Sequence, residues 1–276
     1  MLKKWICLFA LAGIVARSGA QDRYTASTPA GRELRSFLGI PAGDSIDFIR
    51  WQLSLSRDHY SLHCNFGIGQ PNTNGFIGGG KEMDLQGKIT PEAGNYVLFN
   101  QAKSIALLKI NQGLLQFGDA ANKPLVGNGG WSYTLNRLGD MPDGPATIKT
   151  APGLIPLKDS LLFEGRTPCG LPGIVDAGRP CYKLKWKLVL YLDSRTGSPS
   201  GYHIKGTAWR TPDGLSGRWD TRENSTGQVF YRLYRGNGLL LLTLFKADDS
   251  LLFLADEQEN LLRGNADFSY TLNRVF

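Results

Sequence analysis

The chain has little of what usually carries chemistry. It holds four cysteines and three histidines in 276 residues. His59 and His63, with Cys64 adjacent, are the one cluster with metal-ligand character. On a strand, positions four apart lie about 13 Å apart, too far to share one ion, and His63 and Cys64 face opposite sides. His203 is the only other histidine. The sequence therefore points to no metal site and no cofactor. No nucleophile–base arrangement is legible either. Gly78-Gly79-Gly80-Lys81 has the composition of a phosphate loop but lacks its spacing and the Ser or Thr after the lysine, so it reads as a hairpin loop. These absences point away from an enzyme.

An excess of one charge is also lacking. The formal charge is +7, and without residues 1–20, which hold Lys3, Lys4 and Arg17 and no acid, 28 bases face 24 acids. A nucleic-acid footprint needs bases gathered on one face. Lys183, Lys185 and Lys187 do alternate, as a solvated strand face would. Beyond the N-terminus no apolar run approaches the ~20 residues that span a bilayer. The first twenty residues themselves run from Met1-Leu2-Lys3-Lys4 through a short apolar core to Ser18-Gly19-Ala20. That is the secretory signal pattern, with cleavage expected after Ala20. Ile14 stands where a lipoprotein would carry its acylated cysteine, so no lipid anchor is expected. The sequence thus predicts a periplasmic or secreted protein. Cys169 and Cys181 bracket a Pro/Gly-rich loop, and an oxidising compartment favours closing it as a disulfide. Cys64 is left over, as a small buried apolar residue or as half of an intermolecular bridge.

What the chain does have is a repeat. Ser132-Tyr133-Thr134-Leu135-Asn136-Arg137 recurs as Ser269-Tyr270-Thr271-Leu272-Asn273-Arg274, and Gly127-Asn128 recurs as Gly264-Asn265 at the same offset. An identical hexapeptide with an aligned dipeptide indicates an internal duplication. Trp51, Leu53 and Leu55 alternate with polar residues, as do Leu184, Trp186, Leu188 and Leu190. That is the pattern of strands with one face on a core. No long apolar stripe recurs at helical spacing, so the fold class is all-β. Residues 21–33 read as polar and loose. Residues 138–158, with four prolines and three glycines, read as a linker that cannot hold a strand ladder. The halves are then 34–137 and 159–276. Pairing Phe37 with Phe163 and Trp51 with Trp186 assigns the second half nine extra residues, the cysteine loop. Seven or eight short strands per half suit a sandwich or an up-and-down barrel; the meander favours two small antiparallel barrels in tandem.

Phe163-Glu164-Gly165-Arg166-Thr167-Pro168-Cys169 followed by Leu171-Pro172-Gly173-Ile174 resembles the opening of the copper-resistance lipoprotein NlpE family. Leu215-Ser216-Gly217-Arg218-Trp219 is similar to that family's Gly-x-Trp strand, Asp249–Asp256 to its Leu-rich hairpin, and Tyr270–Arg274 to its closing strand. The resemblance covers most of 159–276 and implies a lipocalin-like eight-stranded barrel, with envelope stress sensing, adhesion or copper tolerance as the family's associations. Here Leu171 replaces the second cysteine of the family's Cys-x-x-Cys, which counts against copper binding.

The repeated hexapeptide reads as the closing strand of each half. Tyr133, Leu135 and Arg137 should point one way, and Thr134 and Asn136 the other. Arg137 and Arg274 should seal a barrel mouth or meet an aromatic ring. With Trp131 and Trp209 they are the candidate ligand or mouth residues. The expectation is a non-enzymatic envelope protein that binds or senses through a barrel mouth or protein contacts. A carrier of a small lipophilic ligand and a copper-tolerance protein are the alternatives. The partner is then a protein of the cell envelope or a small lipophile, not a nucleic acid.

Overall fold

A computed structural model describes residues 21–151, 159–171, 174, 181–206 and 213–276. The expected signal segment 1–20, residues 152–158 of the expected linker, and Trp209 lie outside them.

The first barrel is β1 (Asp22–Pro29), β2 (Phe48–Leu55), β3 (His59–Gly67), β4 (Lys81–Glu92), β5 (Asn95–Asn100), β6 (Lys103–Lys109), β7 (Leu114–Gly118) and β8 (Thr134–Arg137). Each strand pairs antiparallel with the next, and β8 closes on β1 through Tyr24 opposite Arg137. After β9 (Gly144–Pro145) come β10 (Ser160–Thr167), β11 (Leu184–Leu192), β12 (Pro199–Lys205), β13 (Leu215–Glu223), β14 (Val229–Tyr234), β15 (Leu240–Lys246), β16 (Leu251–Ala255), β17 (Asn260–Leu261) and β18 (Thr271–Val275). Strands β10 to β16 form a second meander, and β18 lies between β16 and β10 to close it, with Phe163 opposite Arg274. Two eight-stranded up-and-down barrels in tandem are therefore the architecture. Closure removes the edge strands that an open meander would present.

Each interior is filled by the alternating residues. In β2, Trp51 and Leu53 are buried and Gln52 between them is exposed; in β11, Trp186 and Leu188 are buried and Lys185 and Lys187 exposed. The same tie holds each tryptophan: Trp51 Nε1 donates to Thr28 Oγ1 at 2.8 Å, and Trp186 Nε1 donates to Thr167 Oγ1 at 2.9 Å. Tyr60 lies opposite Gly87 and Tyr202 opposite Gly217, each ring covering a glycine where any Cβ would collide.

Four expectations are corrected. Residues 21–33 are not loose: Asp22–Pro29 is the first barrel strand, so the barrel starts there and not at residue 34. Its polar look misleads because its hydroxyls are spoken for inside the fold, Thr25 Oγ1 donating to Trp51 O at 3.0 Å and Thr28 receiving Trp51. A short helix also exists, α1 (Arg32–Leu38), which buries Leu34, Phe37 and Leu38 in the first core. At seven residues it is too short to register as a periodicity. Consequently Phe163 answers to Tyr24, not to Phe37. From Thr28 to Trp51 is 23 positions and from Thr167 to Trp186 is 19, so the first half holds the longer connection. The cysteine loop takes the place of α1 rather than being an addition. Its Cys169–Cys181 disulfide is formed, and Leu171 and Cys181 pack on the second core.

The fourth correction concerns the linker. Gly144 and Pro145 pair with β17, and Ala146 is buried between the barrels. Gln228 Nε2 donates to the carbonyls of Ala146 and Ile148 at 2.7 and 3.0 Å, and the Thr147 N–H donates to Ile110 O at 2.8 Å. The segment 138–151 is laid into the interface. Around it a third apolar cluster joins the outer faces of the barrels, with Leu108, Ile110 and Leu114 meeting Phe230, Phe245 and Phe253. This explains why Leu251–Ala255 is apolar at every position: Leu252 and Leu254 face the second core, Leu251 and Phe253 the first barrel. A strand buried on both faces loses its alternation.

Candidate binding cleft between the barrels

The two copies of the repeated hexapeptide touch each other. Tyr133 and Leu135 point into the first core and Tyr270 and Leu272 into the second, leaving Ser, Thr and Asn on the outer faces. These outer residues are nonetheless buried. Ser132 Oγ meets Ser269 Oγ, and Thr134 Oγ1 meets Thr271 Oγ1 at 2.9 Å, each pair separated by 137 positions. The Gly127 N–H donates to Asn273 Oδ1 at 2.7 Å, and the Gly264 N–H donates to Asn136 Oδ1 at 2.8 Å. Residue i of one copy thus meets residue j of the other and the reverse, as in a two-fold dimer interface. The symmetry is imperfect: Asn136 Nδ2 donates to Asn265 O at 3.1 Å, whereas Asn273 Nδ2 is buried with no partner.

Beside these contacts a cleft of about 230 Å³ opens between the barrels. One wall is an aromatic stack. Phe48 lies 4.2 Å from Phe76 and 4.7 Å from Trp131 between ring centroids, with interplanar angles of 19° and 14°. The Arg166 guanidinium caps the stack 5.1 Å from the Trp131 ring, and Arg50 lies about 6 Å from Phe48. From the second barrel, the Lys183 ammonium stands 5.6 Å from the Phe268 ring. Burial, then the charges of Arg166 and Lys185, push the Lys183 pKa down, while Asp267 works the other way. Arg50 crosses the cleft to Asp267 at 2.7 Å and donates to Asn74 O at 2.6 Å, and its Nε is buried without an acceptor.

The copies differ at the cleft. Equivalent positions follow from the strand pairings, and along the repeated hexapeptide, where the two copies bond each other, they are the same residue in both halves. At the cleft Ser27 becomes Arg166, Phe48 becomes Lys183, Gly130 becomes Asp267 and Trp131 becomes Phe268. The changes fit each other. A Cβ on Gly130 would stand 3.4 Å from the Arg166 guanidinium, and Gly129, at φ +75°, would put one 2.9 Å from Glu164. The small residues of one copy make room for the charged residues of the other.

Of the candidate ligand or mouth residues that the structure describes, Trp131 alone is placed in this cleft, and Lys183, expected on a solvated strand face, lines it as well. Arg137 pairs with Asp22 and donates to Gln112 O, at the seam where its barrel closes. Arg274 lies 5.1 Å from the Phe276 ring and donates to Asp249 O at 3.2 Å. His59 and His63 bond Asp58 and Asp84 on the outer side of β3, and Cys64 is fully buried, its thiol pKa pushed well up by burial. Such a thiol is inert. Phe48, Arg50, Arg166 and Asp267 escape a sequence reading because they come from three separate segments. One signal was present: Thr134 and Asn136 sit at outward positions, where water alone gives no reason for identity between copies.

Comparison with family models, with curated proteins and with solved structures finds no match. The likeness to the NlpE family therefore rests on the short motifs of the second half.

Proposed function

We propose that this protein is an exported, non-catalytic binding protein whose two filled barrels form the walls of one ligand cleft. The observation that carries the reading is the division of the repeat. The hydroxyl and amide residues of the hexapeptide that bond across the barrels are identical in the two copies, and residues that line the cleft have diverged into a set of cations, carboxylates and aromatic rings. The signal-like N-terminus and the Cys169–Cys181 bridge support export. The NlpE-like motifs support an envelope setting, with binding or stress sensing through the cleft rather than through a barrel mouth. Trp51, Phe117 and Phe37 occupy the first interior and Trp186 and Tyr202 the second, which favours a site outside the barrels. The test is a thermal-shift screen of the exported protein against small polar metabolites, repeated on Arg166→Ser. Hits that stabilise the parent and not the variant support the cleft; hits that ignore the substitution refute it.

A second reading, carriage of a small lipophile, draws on an apolar notch of about 310 Å³ at the end of the second barrel, lined by Leu171, Leu240, Leu242 and Leu262. Native mass spectrometry that finds a lipophile lost on Leu242→Asp would favour it.

A further inference from the structure

We infer that the cleft takes a small zwitterion, an α-amino acid with a short apolar side chain. The inference rests on the reading of the cleft as a ligand site and adds the class of ligand. Most charges of the lining are already satisfied within the protein. Arg50 is bound to Asp267 at 2.7 Å, and the other oxygen of Asp267 accepts Asn74 Nδ2 at 2.6 Å. Lys183 is held by contacts of its own, 5.1 Å from the Tyr182 ring and 5.6 Å from the Phe268 ring. Two charges of opposite sign remain. Arg166 stacks on the Trp131 ring, and among the described residues no carboxylate or carbonyl accepts from its guanidinium. Asp47 accepts only a backbone N–H, that of Gly69 at 2.7 Å, and is in no ion pair among the described residues. Both line the cleft, Asp47 from the first barrel just before β2 and Arg166 from β10 of the second. Both also belong to the diverged set: the other copy has Tyr182 in place of Asp47 and Ser27 in place of Arg166.

A ligand with a single charge is opposed here. A lone anion drawn to Arg166 is repelled by Asp47, and a lone cation drawn to Asp47 is repelled by Arg166. A molecule carrying both charges satisfies both walls. The guanidinium presents a planar fork that matches a carboxylate with two parallel hydrogen bonds. An ammonium presents three donors, and Asp47 Oδ1 is left to accept one. Size and lining select the rest of the molecule. The cleft is below the roughly 300–1,000 Å³ of pockets for drug-sized ligands, and holds roughly eight waters at about 30 Å³ each. Phe48, Trp131 and Phe268 supply its apolar surface. A single amino acid with a short apolar side chain fills such a space.

The experiment uses the whole exported protein labelled with ¹⁵N-tryptophan, the Trp131 indole resonance being assigned from Trp131→Phe. The probes are leucine, 4-methylpentanoate, which lacks its ammonium, and 3-methylbutylamine, which lacks its carboxylate. Leucine is expected to move the Trp131 resonance saturably. The amine should bind about tenfold more weakly for want of the Arg166 contact, and the acid about fivefold more weakly, Asp47 being the more exposed of the two charges. Arg166→Ser should erase the advantage of leucine over the amine, and Asp47→Asn its advantage over the acid. Unchanged resonances of Trp51, Trp186 and Trp219 in each variant certify its fold. A Trp131 resonance that leucine leaves in place overturns the assignment, as does an analogue that binds as tightly as leucine. If an analogue moves Trp131 where leucine does not, the ligand class falls and the cleft reading stands. If the probes move only other tryptophans, both fall.

Discussion

Thr134 and Thr271, the same residue of the two repeats, hydrogen-bond each other at 2.9 Å across the interface between the barrels. Thr134 also donates to Gln116 Oε1 at 2.7 Å. Its one proton is thereby committed, so the Thr271 hydroxyl must be the donor between the pair. Two positions that are equivalent by sequence are unequal in their bonds.

That inequality predicts unequal costs. Thr134→Val strands both the Thr271 hydroxyl and Gln116 Oε1 in a buried place, at about 1–3 kcal/mol for each unsatisfied group. Thr271→Val leaves the Thr134–Gln116 bond intact and should cost less. Urea unfolding of the two variants should rank Thr134→Val as the more destabilising, and the double variant should cost less than the sum of the two.

The segment 138–151 should depend on Arg263. Its guanidinium donates to the carbonyls of Arg137, Gly139 and Met141 and its Nε to Asp143 at 3.1 Å, gathering the turn that follows the first barrel. Hydrogen bonds to a charged group contribute about 1.5–3 kcal/mol. Arg263→Met keeps the length and loses the donors. Hydrogen exchange should then speed up in 138–151 while the amides of β2 and β11 stay protected.

Alkaline pH should unfold the protein through its tyrosines. Burial, the largest cause in each case, pushes the hydroxyls of Tyr24, Tyr60 and Tyr133 up to about 12, and the Tyr133 hydroxyl also reaches the Gly31 backbone. The folded chain holds these protons where the unfolded chain, near 10, has released them. Their contribution is complete below about pH 10 and falls as pH rises toward 12, by about 1.4 kcal/mol per pH unit for each tyrosine. Melting temperature measured from pH 8 to 11.5 should fall steeply only above pH 10. The Tyr133→Phe variant should show a shallower fall.

How much of this the sequence could reveal follows from which residues each element uses. The strands β2 and β11 are legible because Trp51 and Trp186 alternate with exposed polar residues, so period two survives in the letters. The loop disulfide is legible from composition. Strand β1 is not, because Thr25 and Ser27 are buried against backbone oxygens of Trp51 and Ala266 and look like solvent-facing residues. Helix α1 is hidden by its length. The cleft is hidden for a different reason: Arg50 and Asp267 are 217 positions apart, and only the packing of one barrel on the other brings them to 2.7 Å. Internal comparison of the copies recovers part of it once the true register, Tyr24 to Phe163, is known.

The central claim is that the hexapeptide residues shared by both copies bond the barrels to each other and that the diverged residues of the cleft hold a ligand. The most direct measurement is the unfolding free energy of Arg166→Ser, which installs the residue of the first copy at the cleft, set beside that of Thr134→Val at the interface. The account predicts a loss of no more than about 1 kcal/mol for Arg166→Ser, the worth of its partly exposed contact with the Trp131 ring, and a clearly larger loss for Thr134→Val. An Arg166→Ser variant destabilised as much as Thr134→Val would contradict it, because Arg166 would then be a main part of what keeps the barrels joined.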